Sequence, residues 1–129
     1  MNNTAKSTET SLDQPLPDVL MRLVSELYDV AYLIERVEPQ LLELGGAEIL
    51  EHPDSVKVLQ GIDLAVQKAR GLAEFIDTIT GTIPGDWMVD VSTALNLVKL
   101  ADMRRALATG VRHGHSQPLS KTAGDFDFF

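Results

Sequence analysis

The sequence predicts an all-α fold: an antiparallel helical hairpin and a third helix forming a three-helix bundle, completed by dimerisation, with flexible termini. Three observations carry that expectation. Between Leu16 and Thr109 the apolar residues recur at steps of three and four, the period of helices that bury one stripe. Pro followed by an acid opens these stretches, and Gly closes them. Aromatic residues make up only 5% of the chain, which favours an aliphatic helical core over an aromatic-rich β-sandwich.

The first helix starts at Pro17-Asp18, where Pro suits the first turn and Asp the positive end of the helix dipole. Its stripe is Leu20, Leu23, Val24, Leu27, Ala31, Ile34, Val37 and Leu41. Pro39 is expected to kink it or split off a last turn, and Gly45-Gly46 to stop it. The second helix starts near Pro53-Asp54 with the stripe Leu59, Ile62, Val66, Ala69, Ala73 and Ile76, flanked by Leu72, Phe75 and Ile79, and Gly81 ends it. After the Pro84-Gly85 turn, Asp86 caps a third helix expected over Trp87–Ala108. One face of it carries Val91, Ala94, Leu95, Val98 and Ala101; Leu97, Leu100, Met103 and Leu107 widen it. Arg104 and Arg105 sit near its negative end, and Gly110 closes it. Short connections imply antiparallel neighbours. A third helix this apolar exceeds the need of a three-helix core, so a second chain is expected to cover the excess.

The 129 residues divide into three parts. Residues 1–15 are polar and expected to form a flexible N-terminal tail, residues 16–109 form the helical domain, and residues 110–129 form a linker and an acidic-aromatic tail. The net charge of −8, from 11 Lys and Arg against 19 Asp and Glu, argues against nucleic acid and an anionic membrane surface as partners. The N-terminus lacks the apolar run of a secretory signal, and no apolar stretch is long enough to span a membrane. With no Cys, disulfides, Cys-based zinc sites and a thiol nucleophile are excluded, which fits a cytoplasmic protein.

Most familiar chemistries lack their residues. Gly45-Gly46 has no following Lys-Ser/Thr, so it is a helix cap rather than a phosphate loop. His113 and His115 have no third ligand in sequence, so no metal site is expected. A phosphotransfer His belongs in mid-helix, whereas His52 precedes the Pro53 helix start. What remains is Asp63-Leu-Ala-Val-Gln67 on the second helix, the only D-x-x-x-Q in the chain. Residues four apart stand on one helix face, so the carboxylate and the carboxamide share a polar flank with Gln60, Arg70, Glu74 and Asp77. The plain alternative is a solvated flank on which Asp63 and Gln67 form a local pair. Gly71, one turn beyond Gln67, marks either close helix packing or a bare patch for a partner; packing is the expected reading.

Asp63-Leu64-Ala65-Val66-Gln67 resembles the D-x-x-x-Q motif of CheZ-type chemotaxis phosphatases, including the Leu after the Asp. The wider stretch from Leu59 to Ile79, LQGIDLAVQKARGLAEFIDTI, is similar to the small CheT-type proteins of that family. The resemblance covers about 70 residues of the middle of the chain. It implies a phosphatase acting on a phosphorylated CheY-like response-regulator receiver. The receiver would supply the acyl phosphate, a Lys and Mg²⁺, so the chain needs no cofactor of its own. Gln67 would orient the attacking water and Asp63 would pair with the receiver's Lys. Gln60, Arg70, Gly71 and Glu74 would border the contact. This chain departs from CheZ in its shorter length, in Pro39, and in the added third helix.

The last residues alternate acids and aromatics: Asp125, Phe126, Asp127, Phe128 and Phe129. They fall outside any core period and are expected to bind a partner, the linker from Gly110 to Ser120 keeping a captured receiver near Gln67. Two other readings stay open: a non-catalytic helical binding or adaptor protein of the chemotaxis pathway, and a helical adaptor outside it.

Overall fold

The computed structural model describes residues 13–110, and these are mostly helical. The elements in order are strand β1 (Asp13–Pro15), helix α1 (Leu16–Glu35), helix α2 (Val37–Gly45), a 3₁₀ turn (Ala47–Glu51), helix α3 (Pro53–Thr80), strand β2 (Met88–Asp90), and helices α4 (Ser92–Asn96) and α5 (Ala101–Thr109). Of the flexible tail expected over residues 1–15, residues 1–12 lie outside the described residues, and the last three, Asp13–Pro15, do not behave as a tail. They pair antiparallel with β2 in the register Asp13–Asp90, Gln14–Val89 and Pro15–Met88. The Leu16 N–H extends the ladder, donating to Trp87 O at 2.8 Å.

The first helix ends at Glu35, and α2 continues after Arg36. The break lies four residues before Pro39, where it belongs physically. The Pro ring has no N–H for the carbonyl of residue 35 and crowds it. Gly46, at φ +69°, stops α2 as expected. The second helix is continuous over 28 residues, with Pro53 at its first position and Asp54 in its first turn.

The long third helix expected over Trp87–Ala108 does not form. The local period is helical, but tertiary pairing with β1 draws Met88–Asp90 into a strand. Asp90 then starts α4: its Oδ1 accepts the Ser92 N–H at 2.9 Å and the Ser92 hydroxyl at 2.7 Å. These bonds, the backbone one first, hold the Asp90 carboxyl below its ordinary pKa. The chain breaks again before α5, where the Arg104 guanidinium donates to Val98 O at 2.9 and 2.7 Å. Arg104 therefore does not serve the negative end of α5, and Arg105 pairs with Asp102 instead. That role falls to Arg22 of α1, which donates to Ala108 O at 3.0 Å and Leu107 O at 3.4 Å. Gln14 adds a bond from Nε2 to Ala108 O at 3.2 Å, and its Oε1 accepts from Arg22. Gly110, at φ +80°, closes α5 with its N–H on Ala106 O at 2.7 Å, as the sequence predicts.

The core lies between α1 and α3. Ala31 packs with Val66 and Ala69, flanked by Ile34, and both Ala31 and Ala73 are fully inaccessible. Such small side chains let the two helix backbones approach closely. The short helix α5 buries Ala106 and packs on α1, scarcely touching α3. The result is a two-helix hairpin with a third helix leaning on one member. No described helix is long and apolar enough to cross a membrane.

Candidate functional site

Helix α3 holds the motif because its buried stripe, Leu59, Val66, Ala69, Ala73 and Thr80, docks it mainly on α1, with the 3₁₀ turn and α2 packing on it as well. Packing offsets the propensity lost at Gly61 and Gly71. At about 100° per residue, this docking turns Gln60, Asp63, Gln67, Gly71 and Glu74 to solvent, and all five are exposed. Asp63 and Gln67 stand one turn apart near the middle of the 28-residue helix. Neither side chain is bonded to another described residue, so the local Asp63–Gln67 pair of the plain reading is not formed.

Arg70 borders this flank and is held across the hairpin. Its Nη2 lies 2.7 Å from Glu35 Oε1, in a pair whose members are both about half-exposed. Beside Glu35, the Arg36 guanidinium lies over the Tyr32 ring, 5.4 Å from its centroid. The flank is therefore edged from two helices, with Asp63, Gln67 and Arg70 on α3 and Glu35 contributed by α1. The sequence reading missed the α1 member. The signal lay in the antiparallel register, which sets Glu35 near Arg70, and spacing within one helix does not contain it.

Gly71 corrects an expectation. A Cβ built on it meets nothing within 4 Å. It is thus not a close-packing glycine, and its side of α3 is bare beside Gln67. The tail residues Asp125, Phe126, Asp127, Phe128 and Phe129 lie outside the described residues, as do His113 and His115. Among the described residues no cluster of three His, Asp or Glu is placed to hold a metal ion.

Chemically, Asp63 and Gln67 present a carboxylate and a carboxamide one turn apart on a long helix, neither bonded to another described residue. A carboxamide can donate one hydrogen bond and accept another from the same water, and a carboxylate can pair with a cation. The flank has no nucleophile or base aimed at a cavity. A groove lined by Met21, Arg22, Ser25, Ala106 and Gly110 lies elsewhere, between α1 and α5.

Residues 12–129 match the family model described as a domain of unknown function (DUF8776). No curated protein and no solved structure matches the chain.

Proposed function

The chain belongs to the DUF8776 family, and we propose that it is a phosphatase that accelerates dephosphorylation of a phosphorylated CheY-like receiver in chemotaxis signalling. The observation that carries this reading is the exposed, unbonded pair Asp63 and Gln67, one turn apart in mid-helix with the bare Gly71 beside it. The resemblance of that pentapeptide and its surrounding helix to CheZ-type proteins supplies the substrate class.

In this reading the receiver docks on the polar flank of α3. Asp63 pairs with the receiver's Lys and sets the register. Gln67 enters the receiver's site, and its carboxamide holds a water in line with the phosphorus. The water oxygen bonds to phosphorus as the bond to the receiver's aspartyl oxygen breaks, releasing inorganic phosphate and the aspartate. Phosphoryl transfer passes through a loose transition state, so positioning is the main contribution a partner can make. Mg²⁺ belongs to the receiver. Gln60, Arg70 and Glu74 border the contact. The segment Asp125–Phe129 captures the receiver, and the linker raises its concentration near Gln67 to roughly millimolar. The protein works in the cytoplasm, where such receivers are found.

The test follows phosphate loss from a phosphorylated receiver with Mg²⁺, with and without the protein. Gln67→Ala is expected to remove most of the acceleration with little loss of binding. Gln67→Asn, one methylene shorter, is expected to lose about 10²-fold, the usual penalty for an ångström of misplacement. A variant as fast as the parent overturns the assignment.

We further propose a homodimer whose contact covers Trp87, Met88, Leu97 and Leu100, all more than half or about half exposed. The same apolar group favours the second reading, a non-catalytic adaptor of the pathway. Phosphorylation-dependent receiver binding without hydrolysis would select it.

A further inference from the structure

The polar flank is only one of the two sides that α3 turns to solvent. About 100° around the helix from Gln67 runs a second stripe at helical steps: Leu64, Lys68, Leu72, Phe75 and Ile79. Its apolar members are 56%, 54%, 64% and 40% exposed, and Lys68 is exposed as well. From Ser55 to Thr80 every acid of α3, Asp63, Glu74 and Asp77, lies on the other side, while Lys57 joins Lys68 on this one. A chain of net charge −8 thus carries an apolar helix face whose only charges are basic. Exposed apolar area of this extent marks a surface that something covers.

We propose that this stripe is the docking site of the chain's own C-terminal segment, Gly124–Phe129. The segment supplies what the stripe lacks. Three phenyl rings offer apolar area to Leu72, Phe75 and Ile79, and the carboxylates of Asp125 and Asp127 suit Lys68. Its reach suffices. The carbonyl of Ala108 lies 3.0 Å from Arg22, so the chain leaves α5 beside that turn of α1. Ala31 faces Val66 and Ala69 in the antiparallel pair. Nine residues back along α1, Arg22 is therefore level with the turn of α3 that holds Phe75 and Ile79. Crossing to the stripe takes roughly 20 Å, two interaxial distances. Residues 111–125 can span up to about 50 Å. A second copy of the stripe is a worse occupant, because it would set two basic faces together with no acid between them. The tether holds the segment at roughly millimolar concentration, so even weak affinity keeps it seated. The inference does not rest on the phosphatase reading, because the stripe and the Asp63–Gln67 flank are different sides of α3; capture of a receiver by Asp125–Phe129 would require the segment to leave the stripe.

The test uses the full chain. Having no native Cys, it accepts a single nitroxide label through Thr122→Cys. Amide signals of Leu72, Phe75 and Ile79 are then compared between the oxidised and reduced label. Docking predicts strong broadening at these residues, unchanged on dilution and absent over α2 (Val37–Gly45), at the other end of the hairpin. It is expected to vanish with Phe126→Ser/Phe128→Ser/Phe129→Ser and to fall by about two-fold or more with Lys68→Glu. Phe75→Ser, at a position 64% exposed, tests the stripe itself, with an unchanged helical circular dichroism signal as the control for folding. Broadening spread evenly over the surface overturns the proposal. So does broadening seen only between label and isotope on different molecules.

Discussion

Gly71 poses a question at the scale of a single residue, because glycine inside a helix costs about 1 kcal/mol against alanine. Nothing lies within 4 Å of the Cβ it lacks. Gly71→Ala is therefore expected to stabilise the fold by about 0.5–1 kcal/mol, raising Tm by a few degrees. Calorimetry checks it, and a lowered Tm would show that the position is packed after all. Exposure of Asp63 and Gln67 was legible in the sequence, because a period of 3.6 residues places them on a flank beside the Leu59–Val66–Ala73 stripe and not within it. The vacancy beside Gly71 was not, since the same glycine would mark a helix crossing if α1 ran over it. Nor was the partner of Arg70, Glu35, which the hairpin brings from 35 residues away.

Among the elements, α3 and the first turn of α1 follow from their Pro-acid starts and unbroken stripes. Pro39 predicts a break in the first helix, and the break follows Glu35 because the proline acts on the carbonyl four residues earlier. The segment 87–110 shows where local pattern fails. Its residues can form a helix, but a three-residue ladder with β1 and the Asp90–Ser92 turn outcompete one continuous helix. The placement of α5 then depends on Arg22. Arg22→Ala removes its bonds to the carbonyls of Leu107 and Ala108, and hydrogen bonds to charged groups contribute about 1.5–3 kcal/mol. Amide exchange over residues 101–109 is expected to accelerate while α3 stays protected. Equal acceleration of both would show that α5 and the hairpin unfold as one unit.

Taken whole, the molecule is thin. Its buried apolar residues among those described are four alanines with Val24, Leu59 and Val66, a small core for helices of 20 and 28 residues. Among the large apolar side chains left outside are the α3 stripe and the group of Trp87, Met88, Leu97 and Leu100, with others, such as Leu44 and Leu33, on α2 and α1. Covering the second group with another copy predicts a sedimentation mass of two chains, lowered to one by Leu97→Asp/Leu100→Asp. A mass of one chain for the parent would overturn the homodimer. The helical class, the hairpin and the solvent-facing Asp63–Gln67 flank were determined by the sequence alone, because each depends on period and on local start and stop signals. Only the tertiary structure decided the β1–β2 ladder, the division of the third segment, the seat of α5 on Arg22 and the Glu35–Arg70 edge of the flank. Those depend on which distant segments meet, and the energy of such a meeting is not encoded in the spacing of either partner.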